Sequence, residues 1–167
     1  MDEIDPPADP LDVRHETFTV VRRLDASRDR VFAAFSNADL WRRWFRMPGS
    51  GATYDYTFAI GSGESADSFF TLPNGRRELL AYRSTYLDIV EDARLVFTYT
   101  SAINGVVRWA ALATVLLADE GDSTMLTWTE QVAFLVRSGD GSADLPHLRG
   151  ATTLRLNGLA AALLPVG

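Results

Sequence analysis

The sequence predicts an α+β domain of order β-α-α-β6-α, in which a curved antiparallel sheet wraps around one long C-terminal helix. Three observations predict it. Apolar residues recur at helical spacing near the start and again from Leu145 onward. Over residues 53–134 that spacing gives way to alternation of β-branched and aromatic residues. Turn residues interrupt this middle stretch repeatedly, as hairpins between neighbouring antiparallel strands require. An antiparallel sheet with one apolar face must cover that face. The segments long enough to do so are the last helix and the helix pair after the first strand. A bent sheet on one helix leaves a gap between two apolar surfaces, and a ligand is expected there.

Residues 18–24 read as the first strand, and Asp25-Ala26-Ser27 breaks it. Ser27 suits the N-cap of a helix that places Val31, Phe32 and Phe35 on one face. After the Ser36-Asn37 break, residues 38–44 form a second short helix, and Met47-Pro48-Gly49-Ser50-Gly51 turns the chain. Six strands follow, the first over residues 53–60 with Tyr54, Tyr56, Phe58 and Ile60 on one face. The others cover residues 65–71, 77–89, 95–100, 106–117 and 124–134. Turns fall at Gly61-Ser62-Gly63, Pro73-Asn74-Gly75, Glu91-Asp92-Ala93, Asn104-Gly105 and the polar run from Asp119 to Ser123. Residues 137–144 are a loop. In the final helix Leu148, Thr152, Arg155, Leu156, Leu159 and Leu163 share a broad face, and Pro165 stops it. Residues 1–14 are expected to be a flexible acidic lead-in, and residues 15–167 a single domain.

Composition narrows the function classes. A chain of 167 residues that is 47% hydrophobic can bury one sizeable core. A net charge of -6 with scattered arginines and no lysine argues against nucleic acid and against an anionic membrane surface. Without cysteine there is no disulfide, thiolate metal site or cysteine nucleophile. The opening MDEIDPPADPLD lacks the basic start and apolar run of a signal peptide, so a cytoplasmic protein is expected. His15, at the end of the lead-in, and His147 fit no metal-ligand spacing and read as surface histidines. Gly61-Ser62-Gly63 lacks the rest of a phosphate cradle. No metal or cofactor is therefore expected, and monomer and homodimer both remain open. The pairs Arg22-Arg23, Arg42-Arg43 and Arg76-Arg77 read as solvated edges.

An ordered set of segments resembles a known family. It comprises Arg23-Leu24-Asp25-Ala26-Ser27, Val31-Phe32-Ala33-Ala34-Phe35, Leu40-Trp41-Arg42-Arg43-Trp44-Phe45 with Pro48, the pair Gly61 and Gly63, Arg94-Leu95-Val96-Phe97-Thr98-Tyr99, and Ser123-Thr124-Met125-Leu126-Thr127. Together they resemble the START-like (SRPBCC) superfamily, in the branch named after the heat-shock-protein-90 ATPase activator and its bacterial homologues. The likeness runs over residues 18–164. It implies a helix-grip (START/Bet v 1-like) fold with an internal cavity for a small apolar molecule. One departure concerns the last helix, where the family commonly has tryptophan after a glycine. Here Gly150 is followed by Ala151 and Thr152, and the missing bulk is expected to enlarge or reshape the cavity.

Aromatic residues are the first candidates for its walls, because tyrosine and tryptophan offer apolar area together with a polar handle. Trp44, Phe45, Tyr56, Phe58, Phe70, Tyr82, Tyr86, Phe97, Tyr99, Trp109 and Trp128 each stand as pocket wall or plain core. Thr152, Leu156 and Leu159 join them from the last helix. Glu130 follows Leu126 and Trp128 at period two and so shares their side of the strand. Inside an apolar chamber it would be a candidate catalytic acid or base, or an anchor, with Arg108 on the neighbouring strand as its expected partner. At a strand end it would instead be a surface ion pair. The expected function is binding, sequestration or transport of a small hydrophobic molecule. The alternative implied by the resemblance is a polyketide cyclase/aromatase-like enzyme or an antibiotic self-resistance protein, which an arginine-only, alanine-rich composition, pointing to a GC-rich bacterial genome, makes worth carrying. A cochaperone role follows from the branch name alone and stands behind both.

Overall fold

Alternation along the middle of the chain produces long strands that pair with their neighbours in sequence, and the first strand closes the order against the last. In the computed structural model, which describes residues 9–165, the elements are β1 (Arg14–Leu24), α1 (Arg28–Ser36), α2 (Ala38–Trp44), β2 (Ser50–Tyr56), β3 (Glu64–Thr71), β4 (Arg77–Val90), β5 (Arg94–Ile103), β6 (Val106–Glu120), β7 (Ser123–Phe134) and α3 (Asp144–Ala162). The seven strands form one antiparallel sheet in the order β1-β7-β6-β5-β4-β3-β2. Register shifts interrupt the β2/β3, β4/β5 and β5/β6 pairs. Such bulges bend strands and increase twist, which curves the sheet.

The concave face is set by parity. On β7 Thr124, Leu126, Trp128, Glu130, Val132 and Phe134 are buried at every second position. Opposite them on β6 stand Ala111, Ala113, Val115 and Leu117, and on β5 Leu95, Phe97 and Tyr99. The small Ala111 and Ala113 pair with Val132 and Glu130, which leaves room over the sheet centre for the larger side chains around them. Helix α3 covers this face with Leu148, Thr152, Leu156 and Leu159. Helices α1 and α2 close one end with Val31, Ala34, Phe35, Trp41 and Trp44.

Several boundaries differ from the sequence reading. Arg14, assigned to the lead-in, opens β1 opposite Phe134, and its guanidinium reaches Gly141 O at 2.7 Å and Asp144 at 3.2 Å. His15 therefore lies within β1, paired with Ala133. Lead-in residues 1–8 lie outside the described residues. Strand β5 runs on to Ile103 because Asn104 (φ 51°) and Gly105 (φ 80°) make a two-residue turn, so pairing continues up to Ile103 and Val106. β2 stops at Tyr56 although alternation continues. Beyond it Thr57 N–H donates to Gly63 O and Gly61 N–H donates to Tyr86 O, and Ile60 makes an isolated bridge with 64% of its surface exposed. Ser27 occupies the α1 N-cap without a side-chain cap bond, whereas the Asn37 side chain caps α2 by accepting from Asp39 and Leu40 N–H, both at 3.0 Å.

Candidate functional site

A row of paired residues crosses the open end of the concave face: Phe134 of β7, Trp109 of β6, Ser101 of β5 and Tyr82 of β4. Above this row α3 presents His147, Leu148, Ala151 and Arg155, and the turn after α2 presents Met47 and Pro48. These side chains do not fill the space they enclose. A chamber of about 440 Å³ remains between them, with Tyr99, Leu80 and Ile103 also in its wall. Ala151 belongs to the lining, so the absence of a large side chain at this position helps to leave the space open. A second hollow, about 500 Å³, lies on the convex face among His15, Arg83, Thr85, Thr98 and Gln131. It is an open depression over the outer side of the strands, whereas the chamber under α3 is the more enclosed and has a buried polar network at its wall.

That network centres on Glu130, which is 1% exposed. Its Oε2 accepts from the Tyr99 hydroxyl at 3.0 Å and its Oε1 from the Trp128 indole N–H at 3.1 Å. The Trp109 indole N–H points at the Tyr99 oxygen from 3.4 Å. Tyr99 thus links a buried carboxyl to the chamber wall. Burial pushes Glu130 above the ordinary carboxylate range, while the donated hydrogen bonds and the Arg155 charge oppose the shift. Burial likewise raises Tyr99 and Tyr82, keeping both phenols protonated at neutral pH.

The expected Glu130–Arg108 pair does not form. Glu130 stands opposite Ala113, while Arg108 is the extra residue at the bulge where Ser101 pairs with Trp109 and Ala102 with Val107. Its carbonyl accepts from Leu135 and Val136 N–H, and its buried Nε has no hydrogen-bond partner among the described residues. The guanidinium whose field reaches Glu130 is that of Arg155.

The family model described as activator of Hsp90 ATPase homolog 1-like protein matches residues 25–159. The chain belongs to this family. A protein of known structure from Rhizobium leguminosarum is similar to this activator-homolog domain at 30% identity and a TM-score of 0.76, over 90% of this chain and 95% of that one. Mll3558 from Rhizobium loti is 39% identical with a TM-score of 0.71, over 90% and 98% of the two chains. DynU16, from the dynemicin biosynthetic locus, is 17% identical with a TM-score of 0.59 over 88% of this chain and 46% of its own, and shares the fold. No curated protein matches the sequence.

Within the activator-homolog frame, Tyr82, Tyr99 and Trp109 are the sequence candidates that line the chamber. Trp44, Phe45, Tyr56, Tyr86, Phe97 and Trp128 pack instead in the adjoining aromatic core. Phe58 packs against Phe32 and Tyr86, outside the chamber lining. Phe70 shares the concave parity of β3, but near that strand's end it is 44% exposed and lines neither the chamber nor the convex hollow. Thr152, Leu156 and Leu159 are buried on α3 and do not line the space. Two features escaped the sequence reading. Arg42, read as a solvated edge, pairs with the buried Glu64 at 2.6 Å and lies 3.5 Å from the Tyr54 ring centroid. Burial raises Glu64 and Arg42 opposes the shift. Arg155, read as one member of a helix face, turns its charge into the chamber. A lone cation in a stripe otherwise made of leucines and one threonine was the available signal. Among the described residues no cluster could hold a metal ion, and no helix is long and apolar enough to cross a membrane.

Proposed function

We propose that this activator-homolog domain binds a small apolar molecule in the chamber beneath α3, as a carrier, sequestering protein or sensor. One observation carries the reading: about 440 Å³ of space with mostly apolar walls stands beside buried hydrogen-bonding groups. The volume falls within the range of roughly 300–1,000 Å³ usual for small-molecule sites. Burying apolar ligand surface there contributes about 25 cal/mol per Å², less the cost of ordering the ligand. Likeness in fold to a protein of the dynemicin biosynthetic locus supports aromatic, polyketide-type molecules as the first class to test. Native mass spectrometry of protein purified from its own host is expected to show a retained small molecule. A bound ligand raises the melting temperature by mass action, and Ala151→Trp, which puts a ring into the chamber, should remove that rise. An equal rise in both proteins would place the ligand elsewhere.

A second reading draws on Glu130 and Tyr99. A buried carboxyl whose proton affinity burial raises, hydrogen-bonded to a phenol at the chamber wall, can exchange a proton with a bound substrate through that phenol. This suits a cyclase/aromatase-like reaction. Glu130→Gln should then abolish turnover of a polyketide-type substrate, and an unchanged rate would remove Glu130 from consideration. A cochaperone role rests on the family name and has no feature of the chamber behind it.

A further inference from the structure

We infer that the chamber selects an organic anion, an apolar molecule bearing a carboxylate or equivalent acidic oxygen group, and that Arg155 anchors it. The inference rests on the chamber being a ligand site. Arg155 lies one helical turn beyond Ala151 on α3, and both face the space. Its guanidinium carbon sits 4.5 Å from the Phe45 ring centroid and 5.7 Å from that of Tyr82, so the rings position the group while leaving its N–H donors unused. Among the described residues Arg155 makes no ion pair and no hydrogen bond. Other arginines of the fold have a carboxylate partner, among them Arg14 with Asp144, Arg42 with Glu64 and Arg83 with Asp67.

Neither acidic group near the chamber neutralises it by contact. Asp144 lines the same space, but its carboxylate is held by Arg14 and accepts from Ser138 N–H. Glu130 has both oxygens occupied by Tyr99 and Trp128. Burial favours the uncharged form of Glu130, which leaves the guanidinium less compensated still. A protein of net charge -6 thus keeps an unpaired positive group inside its apolar chamber. The planar guanidinium fork matches a carboxylate or sulfonate, and in a partly desolvated site such a bond is strong and selective. A neutral ligand of the same shape would leave those donors unanswered.

Two fluorescent probes with the same aromatic skeleton test this: anilinonaphthalene sulfonate, which is anionic, and N-phenylnaphthylamine, which is neutral. Wild-type protein is expected to bind the sulfonate roughly tenfold or more tightly than the neutral probe. In Arg155→Met, which keeps an apolar stem over Phe45, that ratio should collapse, whereas Arg155→Lys should retain a preference for the anion. Ala151→Trp should expel both. Equal affinity of the wild type for the two probes, or an unchanged ratio in the methionine variant, overturns anion selection and leaves the chamber standing. Failure of the wild type to bind either probe overturns the chamber reading and the inference with it. Should the methionine variant not fold, the wild-type ratio and the lysine variant still decide.

Discussion

The concave face of the sheet has two halves built from the same kinds of side chain, one full and one hollow. In the full half Phe35 is 0% exposed and meets Trp41, Trp44 and Trp128, with ring centroids 5.0 to 6.4 Å apart. In the hollow half Tyr82, Tyr99 and Trp109 are as aromatic, yet α3 sets Ala151 above them. What differs is the covering element. Two short helices deliver large rings onto the sheet at one end, while the long helix delivers Ala151, Leu148, Arg155 and the polar residues His147 and Asp144 at the other. A cavity is therefore decided by the residue opposite the aromatics, and aromatic content alone does not locate it.

The contrast can be attacked from both sides. Phe35→Ala should be the most damaging change, costing roughly 3–5 kcal/mol in chemical denaturation, because the packed rings around it cannot collapse into the space. A loss below 1 kcal/mol would show that this half is loosely packed too. Glu130→Gln comes next and acts through pH. Because burial raises the folded-state pKa, the unfolded chain loses this proton first as pH climbs above about 4.5, and unfolding then releases it. Wild-type stability should accordingly fall with rising pH across the window from 4.5 up to the raised value of Glu130. The glutamine variant should remove a slope on the order of 1 kcal/mol per pH unit there. Glu64, raised in the same direction, contributes to both proteins and cancels in the difference. Identical slopes would mean that Glu130 is ionised in the fold. Ala151→Trp should change stability by no more than about 1 kcal/mol, since empty space receives the ring, whereas overpacking a full core costs about 1–3 kcal/mol. Ile60→Ser should be smallest, within about 0.5 kcal/mol, as expected of a solvent-facing side chain.

Ile60 also shows where sequence reasoning loses its grip. Order and type of the elements were legible because period and turn chemistry are local: Asn104-Gly105 marks its hairpin, and Asn37 lies at the break where it caps α2. The alternation Tyr54, Tyr56, Phe58, Ile60 is equally local, but β2 ends where Gly63 O and Tyr86 O capture the backbone, and Tyr86 is remote in sequence. Parity put Glu130 on the same side of the strand as Leu126 and Trp128, but that this side is the buried one was not legible in the sequence. Nor was its partner, because the bulge at Arg108 shifts the register in a way that composition does not record. Likewise the α3 stripe was readable as a face, but the division between residues that pack and residues that line the chamber depends on how the sheet curves beneath it. Glu64 and Arg42 lie on elements joined by the β2 connection, so no spacing rule could pair them.

Trp41 lies stacked between Phe45 at 4.4 Å and Tyr56 at 4.7 Å, with ring planes 12° and 8° apart, while Trp44 meets it edge-on at 4.8 Å. Chromophores locked at such separations exchange excitation, so the near-ultraviolet circular dichroism of the protein reports the integrity of this stack. Of the four tryptophans, Trp109 alone lines the chamber. Its emission should respond to an occupant while the dichroism stays constant, giving the molecule two separable optical signals without any added label.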